Sequence, residues 1–435
     1  MIKTRKSGVL LLLFVFLFSG VSAQKNFLAE ADAYFEGGNL RSAIDSYKRA
    51  YAKAKGTEEK GYIKFQLGEC HLMISDPEKA EEYYDAAIKL KYSDNLVYLK
   101  IADVQKQMGE YQEAMENYQA YVDATGSQEG KLGVESCKLA MELKDQPSRY
   151  KVEEVRVLNT DQYDMSPVFA DRRSTELVFT SNRKGSTGTI DNPRKVASNG
   201  DLWITTQDRK GHWGQPVIIE GGINTEHDEG ASTFDRNQKT IYFTRCEMDP
   251  KGKKSMGCEI WFSEKKGSRW DDPEKLELKP EGADTLSVGH PALAPDDTYM
   301  IFAGDLPGGQ GGKDLWISEY DRREKKFMPP KNLGPGINTS GDELFPYIHP
   351  ETKALFFSST GHPGMGGLDI FKAESNGDKA WGKPENMGYP LNSAAHDYGI
   401  LFESADYTRG YLTSNRKGKS MDDLYSFNLP PLTFK

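Results

Sequence analysis

The chain predicts an α + β multidomain fold, an N-terminal α-helical repeat array followed by a five-bladed β-propeller, and three observations carry that prediction. An acidic, an aliphatic and an aromatic residue recur together as Asp201-Leu202-Trp203, Glu259-Ile260-Trp261, Asp314-Leu315-Trp316, Asp369-Ile370-Phe371 and Asp423-Leu424-Tyr425. The steps between them are 58, 55, 55 and 54 residues, and so regular a period marks one supersecondary unit copied and stacked. Between these phrases, short β-branched and aromatic segments alternate with Gly- and Pro-rich turns, the pattern of a four-stranded blade. Over residues 24–146 the pattern changes to a 3.6-residue period with small residues at fixed offsets.

The helical part holds three copies of one pattern. The first has Ala31, Tyr34, Gly38, Ala43, Tyr47 and Ala50; the second Gly68, His71, Ala80, Tyr84 and Ala87; the third Ala102, Gly109, Ala114 and Tyr118. Ala43, Ala80 and Ala114 stand 37 and 34 residues apart. On these residues the segment resembles the tetratricopeptide repeat, in which small residues let two helices cross closely and a tyrosine fills the gap to the next hairpin. A further amphipathic helix over 130–143 is expected to cap the apolar stack. The resemblance implies a concave groove for peptides or helices of partner proteins.

Each propeller period repeats one order. An apolar strand ends in an acidic or Pro-containing turn (167–171, 231–235, 292–296), and a β-branched and aromatic strand follows (177–180, 241–244, 300–303, 354–358, 410–413). A Gly-rich turn, the acidic-aliphatic-aromatic strand and a loop carrying Trp213, Trp270, Phe327 or Trp381 complete the unit. Aromatic residues that recur in this way read as packing between blades. The fifth copy stops near Phe427 without an outer strand, whereas 151–158 alternates like a strand and has no blade of its own. That segment is predicted to complete the last blade, making 147–429 one closed ring and 430–435 the start of a linker.

Lys3, Arg5 and Lys6 precede an apolar run over 9–18 and the small residues Ser22-Ala23, which reads as a secretory signal peptide over 1–23. The run is too short to span a bilayer, and no other stretch reaches the ~20 apolar residues required. The processed chain is therefore expected to be exported, without a transmembrane segment, and no cysteine follows the signal to carry a lipid anchor. A net charge of −9 without a clustered Lys/Arg surface excludes a nucleic-acid partner. Export permits disulfides. Cys246 and Cys258 flank the base of one hairpin and are expected to pair; Cys70 and Cys137 lie on apolar helical stripes and read as buried small hydrophobes.

Chemistry is sparse. The seven histidines form no metal spacing, and nucleophile-elbow and phosphate-loop motifs are missing from the sequence. No catalytic residue, cofactor or metal is assigned, and a non-enzymatic protein is expected. The glycine runs over 308–312 and 364–367 fall where strands of one blade reverse and read as turns. One constellation stays open: Asp164, Asp228, Asp342 and Asp397 recur just before the innermost strand of four blades, with His290 near the equivalent place in the third. They are expected to ring one mouth of the channel, either holding a cation, ligand or basic partner segment there or capping turns and tying blades together.

The phrase Phe179-Thr180-Ser181-Asn182-Arg183-Lys184-Gly185 with Gly200-Asp201-Leu202-Trp203 is echoed by Ser414-Asn415-Arg416-Lys417-Gly418 with Asp422-Asp423-Leu424-Tyr425. It resembles the WD40-like repeat of periplasmic TolB-type proteins. Joined to a tetratricopeptide array, it is similar to the N-terminal portion of the peptidoglycan-associated OmpA family, whose members include a subunit of the type IX secretion machinery. The resemblance implies a periplasmic, outer-membrane-associated scaffold whose partners are envelope or secretion-system proteins, bound through the groove and the propeller faces. The alternative it leaves is a ligand-sensing propeller that binds a carbohydrate or peptide at the channel mouth. Peptidoglycan binding in that family resides in a C-terminal OmpA-like domain, and no residue of this sequence is a candidate for it.

Overall fold

Close crossing of helices demands a residue without a side chain where a ring must pass, and the helical repeats meet this demand. The computed structural model describes residues 26–187, 199–248, 255–267, 269–403, 405–416 and 421–431; the expected signal peptide and residues 432–435 lie outside them. Seven helices come first: α1 (Phe27–Glu36), α2 (Leu40–Lys53), α3 (Thr57–Met73), α4 (Pro77–Lys89), α5 (Leu96–Met108), α6 (Tyr111–Thr125) and α7 (Gln128–Asp145). Asn26, Asn39, Asp76 and Ser127 cap four of them by accepting backbone N–H groups, and Pro77 occupies the first turn of α4. A Cβ on Gly68 would collide with the ring of Tyr84, and one on Gly133 with the ring of Tyr118.

The same tyrosines are tied at their far ends. Tyr47, Tyr84 and Tyr118 each donate a hydroxyl hydrogen bond to an acid fifteen residues earlier, Asp32, Glu69 and Asp103. Each hairpin is thus fixed by a buried ring and a polar tip that is satisfied where it leaves the core. Tyr62 on α3 also donates to Asp32 on α1, at 3.0 Å, joining the first helices of successive hairpins.

The β-rich part is a five-bladed propeller. The blades are built from Asp164–Phe169, Glu176–Ser181, Asp201–Thr206 and Val217–Ile218; Asp228–Phe234, Thr240–Met248, Ser255–Lys266 and Glu274–Lys275; Val288–Leu293, Tyr299–Gly304, Asp314–Asp321 and Lys331–Asn332; and Glu343–Ile348, Leu355–Ser359, Asp369–Ala373 and Glu385–Asn386. The fifth has Asp397–Phe402, Arg409–Ser414 and Asp423–Asn428, and its outer strand is Lys151–Glu154, which pairs antiparallel with Asp423–Asn428. In the first, third and fourth blades the acidic residue that opens the repeated phrase anchors the turn before it, Asp201 by accepting the amide of Thr187. Asp314 accepts the amide of Gln310, and Asp369 that of Gly366 at 2.9 Å. In the second blade Cys246 and Cys258 face each other across the ladder and are joined, S–S 2.03 Å, inside strands longer than the sequence indicated; Cys70 and Cys137 are buried free thiols.

Blades are clasped to one another by a side chain that imitates a strand. Asn338 accepts from the Leu315 amide at 2.8 Å and donates to the Leu315 carbonyl at 3.0 Å. Asn159, Asn224 and Asn392 do the same for Leu424, Leu202 and Ile370. At the junction of the second and third blades, Lys279 reaches Glu259 at 2.9 Å instead.

We call the face where the innermost strands begin the lower face, and that where they end the upper face. The last hairpin of the helical array packs on the lower face. Leu99, Tyr118, Cys137 and Ala140 share one core with Met365 from the blade-four turn, and Ala394 packs against it. The Gly364 amide donates to Ser136 Oγ at 3.3 Å and the Ser148 amide to the Tyr389 carbonyl at 2.8 Å. Helix α7, expected to cap the stack, is thus itself covered by the propeller. Asn338→Ala would strand two buried backbone groups of Leu315, and urea unfolding is expected to register a loss of roughly 2–3 kcal/mol.

Candidate functional site in the propeller channel

The innermost strand of every blade contains one extra residue with positive φ: Ser166 (56°), Ala231 (23°), His290 (52°), Phe345 (50°) and Gly399 (61°). Each sits where the pairing register with the second strand shifts. A bulge of this kind re-aims side chains. It also explains Pro167, Pro291 and Pro346, each directly after its bulge residue, where a missing N–H costs no ladder bond. The sequence pattern puts Pro167 at the end of its strand; the strand runs on to Phe169.

The bulge row is stitched around the channel. The Ser166 amide donates to Thr413 Oγ1 at 2.9 Å, the His290 amide to Thr244 Oγ1 at 2.8 Å, and the Phe345 amide to His290 Nδ1 at 3.4 Å. His290 stacks on Phe345 with centroids 3.9 Å apart, and Phe345 on Tyr398 at 4.4 Å. These three rings plug the middle of the channel. Above them lies a pocket of about 470 Å³, walled by the upper halves of the innermost strands and open among the turns that follow them. Burial, and then the charge of Lys313, hold the His290 imidazole down to a pKa of about 3, so the ring is neutral, with its proton on Nε2.

The five residues expected to ring one mouth do not form one ring. Register places Asp164 opposite Ser181 and Asp397 opposite Ser414, and the residues in equivalent places are Glu229, opposite Arg245, and Glu343, opposite Ser359. Asp228 and Asp342 sit one residue earlier, which turns them to the other side of the strand. They accept the amides of Gly200 and Lys313 from the preceding blade, at 2.8 and 2.7 Å. His290 lies two residues beyond the acid position, which Val288 holds in the third blade. The acids of the true row are buried and engaged. Asp164 binds Arg183 and the amide and hydroxyl of Thr160; Asp397 binds Arg416 and Ser393; Glu229 binds Arg245 and Thr225; Glu343 binds Thr339 and Ser359.

Burial raises Asp201 to about 6 and Glu229 and Asp369 to about 7. Such shifts often mark reactive sites, but these carboxyls anchor turns and junctions and do not line the pocket. The described residues hold no cluster of three metal-ligating side chains. The motif that sequence reading missed is Leu/Ile-Asn-Thr/Ser followed four residues after the asparagine's neighbour by the acid, at 158–164, 223–229, 337–343 and 391–397. Aligning on it instead of on aspartate alone gives the correct register.

Comparison with known proteins adds a family for the helices. A tetratricopeptide-repeat family model matches residues 28–95 and 75–129. No curated protein matches the chain. Among solved structures, it is similar to one described as "Glycoside hydrolase", at 13% identity over 68% of this chain and 96% of that one, TM-score 0.45. A second, described as "Structure of RS223-Beta-xylosidase", is 13% identical over 63% and 94%, TM-score 0.40. The Sgt2 TPR domain from Aspergillus fumigatus is 21% identical over 28% of this chain and 80% of that one, TM-score 0.25. The chain thus combines a tetratricopeptide-repeat interaction domain with a five-bladed propeller.

His290 gives this site a pH signature. In the unfolded chain it takes up a proton near 6.5, whereas the native ring stays neutral to about 3, so native stability falls as pH drops below 6.5. His290→Phe removes that loss, and Phe345 shows that phenylalanine adopts the required φ. Urea unfolding at pH 7.5 and pH 5 is expected to show the parent losing roughly 1–2 kcal/mol more than the variant.

Proposed function

We propose that this protein is a non-enzymatic scaffold of the periplasm, associated with the outer membrane, that holds envelope proteins together within a type IX-like secretion or gliding assembly. The observation that carries the reading is the placement of its two parts. Only the last hairpin of the helical array is used against the propeller; the cores built around α1 to α4 contain helical residues alone among the described residues. The start of the array, where Asp32 and Tyr62 lie half-buried, is therefore left for a partner, and the upper face of the propeller points elsewhere. No helix of the described residues is long and apolar enough to cross a membrane.

Binding without turnover is favoured by the chemistry of the pocket. Hydrolysis of a glycoside calls for two facing carboxyls, whereas the inner pocket wall carries serine, histidine, phenylalanine and proline, with its carboxylates out on the rim turns.

The shared core at Met365 and Ala394 dictates how the proposal is tested, because deleting the whole array would uncover an apolar patch on the propeller. A photoreactive amino acid in place of Tyr62, in the native host, is expected to crosslink to outer-membrane secretion subunits. The same amino acid at Arg236, on the upper rim, is expected to give a different set. Absence of envelope partners at both positions, together with turnover of a glycoside or peptide by the purified protein, would overturn the scaffold reading.

A further inference from the structure

We propose that the channel pocket above the His290, Phe345 and Tyr398 plug is a binding site for an uncharged saccharide. This does not rest on the scaffold reading, and it lies at the opposite end of the channel from the acidic positions that drew attention in the sequence.

Size and shape come first. The pocket, at about 470 Å³, falls in the range of small-ligand sites, and the ring plug gives it a floor. Its polar groups are unfinished: Ser166 Oγ, in a residue 6% exposed, and Ser232 Oγ are buried without a hydrogen-bond partner in residues that line the pocket, and rotation about χ1 is what brings either hydroxyl to a ligand. A buried hydroxyl left unpaired is unusual in a native interior and calls for an explanation. A third polar group, the His290 imidazole, has Nδ1 occupied by the Phe345 amide and keeps Nε2–H as a donor.

Charge then selects the ligand class. Apart from the neutral His290 ring and Tyr347, the ionisable residues of the pocket stand in the rim turns, and several are already engaged. Asp171 accepts the amides of Thr175 and Glu176, Asp235 those of Lys239 and Thr240, and Arg172 is bonded to the Arg236 carbonyl. The interior therefore offers a charged group no counter-ion, and burying one unpaired is strongly unfavourable. A purely apolar ligand would leave the hydroxyls and the imidazole unmet. An extended peptide would seek strand edges, which Pro167, Pro291 and Pro346 interrupt on three of the five innermost strands. A neutral sugar, with hydroxyls for the serines and histidine and C–H faces for the proline walls, satisfies all of these constraints.

Gly399 supplies the test. It lines the pocket with φ 61°, and a Cβ there would stand 3.5 Å from Thr413 Oγ1 and 3.6 Å from Ser166 Cα, ordinary contacts. Asparagine tolerates that backbone conformation, so Gly399→Asn obstructs the pocket without breaking the blade. The full processed chain is titrated calorimetrically with neutral mono- to tetrasaccharides, their uronic-acid and amino counterparts, and proline-rich peptides. The expected result is binding of neutral saccharides, abolished in Gly399→Asn while the variant still unfolds cooperatively at a melting temperature lowered by no more than about 5 °C, and weakened about tenfold in His290→Phe. Binding of charged sugars or peptides alone, binding of nothing, or neutral-sugar binding that survives Gly399→Asn would each overturn the proposal.

Discussion

A ring of sheets holds together only if each blade satisfies backbone groups that its neighbour leaves open, and here an asparagine amide supplies that link at four of the five junctions. Its carboxamide presents an acceptor and a donor at the spacing of a peptide group, so the third strand of one blade sees a strand-like partner although no strand is there. The threonine or serine that follows, and the acid four residues later, then turn the chain into the next innermost strand. The buried acid and its arginine are best understood as part of this turn. Such a pair contributes little net stability over an apolar substitute, while losing one member is costly, so it specifies geometry more than it adds cohesion.

The two halves of the molecule are coupled by the same lower-face turns. The glycine-rich loop that wraps Asp369 also presents Met365 to the helical core, so the fourth blade shares both its turn and its apolar contact with α7. Helix arrays of this kind need a covered end to stay soluble, and the propeller provides it. The consequence is directional: the helices that do not pack on the propeller are the first of the array, and the pocket opens on the face away from the helices.

Much of this was legible in the sequence because the signals were periodic. Five copies of one phrase are enough to read blades, and alanines 34 to 37 residues apart are enough to read helical hairpins. The unpaired segment starting at Lys151 pointed to its partner because Asp423–Asn428 lacked one. The channel was harder. Asp228 and Asp342 mimic Asp164 in type but not in register, and in a strand one residue decides which side a group faces. The bulge residues, serine, alanine, histidine, phenylalanine and glycine, have no chemistry in common, only a backbone conformation, so no residue pattern announces them. The partners of the tyrosines were likewise hidden, because Asp32, Glu69 and Asp103 read individually as ordinary surface acids.

The closing strand has a consequence for the order of events. Lys151–Glu154 is synthesised before every other strand of the propeller, yet its partner, Asp423–Asn428, is made after all the rest. The early strand must therefore wait, with one edge of the ring unsealed, until the far end of the propeller returns to it. Contacts so distant along the chain form late in folding. The seam between the fifth blade and this strand is thus the natural clock of assembly: a partly synthesised chain has four blades and an open gap, and becomes a ring only once its final strand has emerged.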